Sequence, residues 1–437
     1  MSTVQLIKYY QRIEEKNLYG YVGKVTRVVG LTLEVKGIRS SIGEICEVCI
    51  PHKNRPLLCE VVGFKEGSSI LMPLGRLEGI FPGCKVFPTG KTFRISVGPE
   101  LLGKVVGSLG EVFEGEKLQL TGGEGSVYSD PPNPMKRKPI NEKLITGIKS
   151  VDLFLTCGIG QRMGIFSGSG VGKSTLLGMI ARNSSADVNV IGLIGERGRE
   201  VREFIDKDLG PQGLARSVVV VATSDQPALL RVKGALVATA IAEYFRDQGK
   251  NVLLMMDSIT RFATAQREIG LAVGEPPTTK GYTPSVFALL PKILERAGNM
   301  EVGSITGLYT VLVDGDDFNE PIADAVRGIL DGHIVLTRKL AAQNCFPAID
   351  IMQSVSRLMP NITSEEHQSI ISQSKDIIGV YEKNADLINI GAYETGQNPE
   401  IDRAKEKYPQ IINYLKQGIN ESFPYEESLA GLARIIG

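Results

Sequence analysis

The stretch from Met163 to Ala181 constrains this chain more than any other. Met163-Gly164-Ile165-Phe166 reads as a buried strand and Leu176-Leu177-Gly178-Met179-Ile180-Ala181 as a helix. Between them runs Gly168-Ser169-Gly170-Val171-Gly172-Lys173-Ser174-Thr175. In that setting the loop is a phosphate cradle. Its glycines let successive backbone N–H groups turn inward towards phosphate oxygens, beside a helix N-terminus that carries partial positive charge. Lys173 is placed to reach the β- and γ-phosphates, and the Ser174 hydroxyl to coordinate Mg²⁺. An ordinary strand-to-helix turn needs a glycine but has no use for Gly-Lys-Ser-Thr. The usual pattern opens on a glycine where this chain has Ser167. The departure is mild, because the glycines nearest the lysine carry most of the geometry.

At 437 residues the chain exceeds one comfortable core, so two or three domains are expected. Lys plus Arg and Asp plus Glu balance at 49 each, without the basic excess of a nucleic-acid motor, so no nucleic-acid partner is expected. No stretch approaches the apolar length of a membrane span, and Met1–Leu6 lack the pattern of a secretory signal. The expectation is a cytoplasmic protein that reaches membranes only through partners. Cys46 and Cys49, with His52 and Cys59 nearby, raise the question of a zinc site. A strand over residues 44–50 would send Cys46 and Cys49 to opposite faces, which favours reduced structural thiols.

Three textures follow one another along the chain. Residues 1–18 are charged and helix-compatible, equally readable as a partner-binding arm or a frayed terminus. Residues 19–92 hold short β-rich runs such as 20–25 and 31–35, separated by glycine-containing turns, which suggests a small antiparallel barrel. Asp130–Pro139 is a proline-stiffened connector leading into the nucleotide core. Beyond it Val188–Ile194, Val218–Val221 and Val252–Met256 are apolar and branched, as central parallel strands require. Helical segments such as Ala235–Phe245 lie between them, giving an α/β parallel sheet with crossover helices over residues 93–358. Residues 359–437 turn helical, with Glu365–Tyr381 and Ile401–Gln417 as amphipathic candidates.

Hydrolysis needs more than a cradle: a metal, a positioned water and compensation of charge in the transition state. Asp257 ends the strand Val252–Met256, a Walker-B arrangement that sets a carboxylate beside the metal's water shell. Such an aspartate can also cap a helix. Glu196 ends another strand within Gly195-Glu196-Arg197-Gly198-Arg199-Glu200. A carboxylate there can act as general base for water. Spacing alone leaves it open between that role and a surface loop of paired charges.

Taken together, the phosphate loop, Leu193–Val201, Asp257–Ala263, Gly274–Pro277, Gly281–Phe287 and Leu330–Leu336 resemble the rotary-ATPase superfamily. Within it the chain looks most like the ATPases of type III protein export, particularly the flagellar branch, from about residue 20 onwards. The resemblance implies a RecA-like parallel-sheet P-loop ATPase core with an N-terminal β-barrel and a C-terminal helical domain. It implies ATP and Mg²⁺ as ligands, with Lys173 and Ser174 on phosphate and metal, Glu196 as the base and Asp257 in the metal's second sphere. Arg197 and Arg261 match basic residues on the γ-phosphate side. Phe346 matches an aromatic that stacks on adenine, and Arg357, in Ser354-Val355-Ser356-Arg357, an arginine finger that enters the neighbouring subunit's site. By the same resemblance the protein is a homohexamer at the inner-membrane export apparatus. Its partners are a stator-like regulator at the N-terminal arm, a coiled-coil stalk protein, export chaperone–substrate complexes and the membrane export gate.

Related readings are weaker. The non-catalytic subunit of a rotary synthase typically has glutamine at the position of Glu196, and no acidic rotor-driving run like that of the catalytic subunit is found here. An RNA translocase is disfavoured by the neutral charge and the lack of an aromatic RNA-binding signature. A virulence-type secretion ATPase shares nearly every motif, and only Asp386–Tyr393 and the flow of the C-terminal region lean towards the flagellar branch.

Overall fold

The computed structural model describes residues 21–51, 53, 55–113, 118–313 and 317–437. The charged segment 1–18, expected as an arm, lies outside them. Six strands close a barrel in the order Gly23–Val29, Thr32–Lys36, Ser68–Pro73, Leu57–Lys65, Glu44–Val48 and Lys85–Thr92. Its interior is filled by Val25, Leu33, Val35, Val48, Val61, Leu71 and Val86, the inward half of the alternation expected for strands with one buried face. Cys46 faces that interior opposite Cys59, whereas Cys49 lies beyond the strand end and is exposed. Burial, with Glu44 nearby, pushes the Cys46 thiol up to about 12, so it stays protonated.

The central sheet has nine strands. Its main path runs Ile349–Ser356, Gly332–Leu336, Arg162–Ser167, Ser304–Leu312, Asn251–Asp257, Val188–Ile194, Ser217–Ala222 and Val105–Gly107. Pairing along this path is parallel except for the edge strand Ile349–Ser356. Almost every residue of the central strands is buried, because helices cover both faces. Val105–Gly107 already belongs to this sheet, so the core begins before the connector Asp130–Pro139 rather than after it. The connector is held down by Arg137, which donates to the carbonyl of Ala297 at 2.7 Å.

Helix boundaries depart from the amphipathic readings for local reasons. The helix expected over Ala235–Phe245 runs Ala228–Asp247, entered from Pro227. The helix expected from Ile401 starts at Pro399, where Asn398 caps it by accepting from Glu400 N at 2.9 Å. The helix expected over Glu365–Tyr381 continues to Asn389. The C-terminal helices dock on the core through buried His367, whose Nε2 is 2.6 Å from the Leu153 carbonyl, and through Lys149, whose ammonium lies 3.7 Å from the Phe423 ring centre.

Barrel and core meet at a buried charge. Lys233, fully buried on the helix Ala228–Asp247, pairs with Glu60 of the barrel and contacts Tyr128. Burial pulls the Lys233 pKa down, and Glu60 works against that pull. Removing one partner of such a pair leaves an uncompensated buried charge, so Glu60→Ala is expected to destabilise the folded chain by about 3–5 kcal/mol. Denaturant unfolding followed by circular dichroism measures this. A loss within error would show that Lys233 finds water or another anion.

Candidate active site

The strand Arg162–Ser167 ends in the glycine-rich loop. Gly170 and Gly172 adopt φ of +79° and +88°, left-handed conformations that any side chain would strain. They bend the chain so that the helix Lys173–Asn183 starts at Lys173 itself. The first backbone N–H groups of that helix then face the loop's concavity.

Lys173 reaches back across this concavity. Its ammonium donates to Asp257 Oδ1 and lies 3.5 Å from Glu196 Oε1. Burial pulls its pKa down, but the two carboxylates outweigh burial and hold it above its ordinary value. Asp257 is the last residue of its strand, beside Leu193 in register. Thr310 fixes that carboxylate by donating to Oδ1 at 2.7 Å. The capping role open to Asp257 falls instead to Ser258, whose hydroxyl accepts from Arg261 N at 3.2 Å.

Glu196 sits just beyond the end of the neighbouring strand. Burial, then the charge of Asp257, pushes its carboxyl up to about 7; a hydrogen bond with Glu200 acts in the same sense, while Lys173 and Arg261 oppose it. Arg197 and Arg261 line the same cavity of about 520 Å³ as the loop, Glu196 and Glu200. The Arg197 side chain is 80% exposed, with its guanidinium 3.5 Å from Glu200. Oxygen donors dominate here: the Ser174 hydroxyl and the carboxylates of Asp257 and Glu196. Such a set suits a hard divalent cation that keeps most of its own water.

A second cavity, of about 550 Å³, shares Gly172 and Thr175 with the first. Leu176, Met179, Leu336, Phe346, Pro347 and Ile419 line it, so one cleft has a polar end and an apolar end. Phe346 is 41% exposed, and its ring edge lies 3.7 Å from where a Cβ on Gly172 would stand. Gln417 ties the C-terminal region to this pocket, donating from its backbone to the Phe346 carbonyl at 2.9 Å.

Arg357 is placed elsewhere. It follows the edge strand Ile349–Ser356, whose last residue pairs with Gly332, and Gly332 in turn lies beside Met163. The phosphate loop leaves the opposite end of the strand Arg162–Ser167, roughly 17 Å away at the usual rise per residue. The structure therefore gathers Lys173, Ser174, Glu196, Asp257, Arg197, Arg261 and Phe346 along one cleft and leaves Arg357 outside it.

Several participants escape the sequence reading. Thr310 had one signal, a polar residue inside an otherwise apolar central strand. Glu200 was part of the charged loop around Glu196 but carried no separate role. Gln417 and Ile419 had none, because they reach the cleft only through the docking of distant helices.

A glycine-rich phosphate loop on a parallel sheet, with strand-end carboxylates facing its lysine, defines a P-loop ATPase. Residues 147–356 match the ATP synthase alpha/beta family nucleotide-binding domain, residues 25–90 the beta-barrel domain of that family, and residues 363–434 the T3SS EscN ATPase C-terminal domain. The flagellum-specific ATP synthase of Bacillus subtilis (strain 168) is 56% identical over 426 residues, 97% of each chain. The assembled ATPase EscN from the enteropathogenic E. coli type III secretion system is 47% identical, with a TM-score of 0.90 over 95% of this chain and 100% of that one. EscN in complex with its central stalk EscO gives 46% identity and a TM-score of 0.88 over the same shares. The chain belongs to the ATP synthase alpha/beta family and, within it, to the flagellar type III protein export ATPases. Among the described residues no helix is long and apolar enough to cross a membrane.

Proposed function

We propose that this protein hydrolyses MgATP at a site completed by a neighbouring copy and that the reaction energises flagellar protein export from the cytoplasmic face of the inner membrane. The observation that carries the reading is the placement of Glu196 in the phosphate cleft, 3.5 Å from Lys173 and pushed up to about 7. A carboxyl poised near neutrality beside a phosphate loop is suited to take a proton from water.

In this reading the loop residues 168–175 hold the triphosphate through their N–H groups, and the Lys173 ammonium moves from the carboxylates to the β- and γ-phosphates. Ser174 would hold Mg²⁺ directly and Asp257 through water; bound there, the metal neutralises phosphate charge. Glu196 orients the attacking water and accepts its proton. Arg197 and Arg261 offset charge on the γ-phosphate, and Phe346 stacks on adenine at the apolar end. Arg357, which is outside its own cleft, serves the next subunit in a homohexameric ring. A coiled-coil stalk in the ring centre is supported by the EscN–EscO complex. A stator-like regulator at residues 1–18, chaperone–substrate complexes at the C-terminal helices and transfer to the export gate complete the proposal.

Deleting the gene and restoring it on a plasmid tests the physiological part. Export of flagellar subunits into the medium should stop and return, while secretion of virulence proteins stays unchanged. The opposite pattern would assign the chain to virulence-type secretion, the branch of EscN.

A further inference from the structure

Arg357 is exposed, and among the described residues no ion pair ties its guanidinium down. Its backbone is the opposite. The Arg357 N–H donates to the Asp331 carbonyl at 3.0 Å. The Asp331 carboxylate is gripped by Arg162 in a fork: Nε to Oδ2 at 3.1 Å and Nη2 to Oδ1 at 3.1 Å. The Arg162 N–H also donates to Oδ2 at 3.1 Å, and the Asp331 N–H donates to the Arg162 carbonyl at 2.9 Å. Arg162 and Asp331 therefore hold each other by both main chain and side chain. Gln161 closes the other side, donating from Nε2 to the Asp331 carbonyl at 3.4 Å and to Ser356 Oγ at 3.1 Å.

Bidentate arginine–carboxylate pairs fix geometry as well as energy, and a partly buried one holds its backbone more firmly than an exposed pair can. Both side chains of this pair are largely shielded, 15% exposed for Arg162 and 25% for Asp331. A free guanidinium on a clamped backbone is what a group that must enter another site requires, since positioning, not flexibility, sets its value there.

We propose that the Arg162–Asp331 pair is the positioning device for Arg357, acting on the neighbour's reaction and not on this chain's own nucleotide. The inference rests on the shared-site reading of Arg357. It adds that two residues outside this chain's own cleft set how well the finger is aimed. Arg162 also opens the strand whose far end becomes the phosphate loop, so the pair stands where a subunit's own nucleotide and its service to the neighbour share one strand.

The test uses full-length protein. Asp331→Asn keeps size and one acceptor but weakens the fork; Arg162→Lys is a second variant that keeps charge and loses the bidentate geometry. Both are expected to lower kcat roughly 10- to 100-fold, the range for a misplaced group far from the chemistry. The KM for ATP and binding of a fluorescent ATP analogue should stay near wild type. Combining Asp331→Asn with Arg357→Ala should cost no more than Arg357→Ala alone. Mixing Asp331→Asn subunits with Lys173→Ala subunits should restore hydrolysis, because the latter bring an intact finger to an intact cleft.

A loss that multiplies with Arg357→Ala, or a raised KM, would overturn the proposal. So would an Asp331→Asn subunit that Lys173→Ala subunits fail to rescue although they rescue Arg357→Ala. If Arg357→Ala itself hydrolyses at the wild-type rate, the shared site fails first and the positioning role falls with it.

Discussion

Glu196→Gln is expected to lower kcat by about 10³-fold, within the range of a positioned general base, while ATP still binds. Glutamine keeps the size and one acceptor of the carboxyl but takes no proton from water. Single-turnover hydrolysis alongside binding of a fluorescent ATP analogue separates the two effects. A variant that retains more than about a tenth of the wild-type rate would remove Glu196 from the base role, since less than tenfold lies below what such a group supplies. The wild type carries a companion signature. Its base works only when ionised, and burial together with Asp257 holds the carboxyl near 7. The kcat/KM of the free enzyme should therefore be full above about 7 and fall as the pH drops below it, by about tenfold per unit. In Glu196→Gln that acid limb should vanish.

Arg357→Ala should cost about 10³-fold or more in kcat, the usual value of an arginine that stabilises phosphoryl-transfer charge. Nucleotide binding should stay intact, because Arg357 lies at the far end of the strand from its own loop. Concentration provides the second readout. For the wild type the rate per subunit should rise with protein concentration as neighbours assemble, whereas the variant should stay low throughout. A wild-type rate independent of concentration and unchanged by Arg357→Ala would show that each chain hydrolyses ATP alone.

Much of the fold was legible because its signals are local. Short β-rich runs between glycine-containing turns marked the barrel strands, continuous branched apolar runs marked Val188–Ile194 and Val252–Met256, and glycines marked the phosphate loop. Glu196 and Asp257 could be placed at strand ends and Lys173 in the loop before its helix, and the structure sets them against one another. What stayed hidden depends on distant segments meeting. The apolar end of the cleft draws on Thr175, Leu336, Phe346 and Ile419, which no sequence period connects. Likewise the grip of Arg162 on Asp331 and the buried Lys233–Glu60 pair join residues far apart in the chain, and nothing local in the sequence pairs them. Helix starts slipped where a proline sets the first turn, at Ala228 after Pro227 and at Pro399 after Asn398.

The edge strand Ile349–Ser356 has unlike ends. Phe346 precedes it and lines this chain's own cleft, while Arg357 follows it at the end remote from the phosphate loop. With the site shared as proposed, each subunit is an arrow, receiving help on one flank and giving it on the other. Two copies related by a twofold axis cannot both give and receive through the same flank, so only a head-to-tail order satisfies every member. Damage in such a circle has a direction: a subunit without Arg357 silences the neighbour ahead of it and keeps its own cleft working.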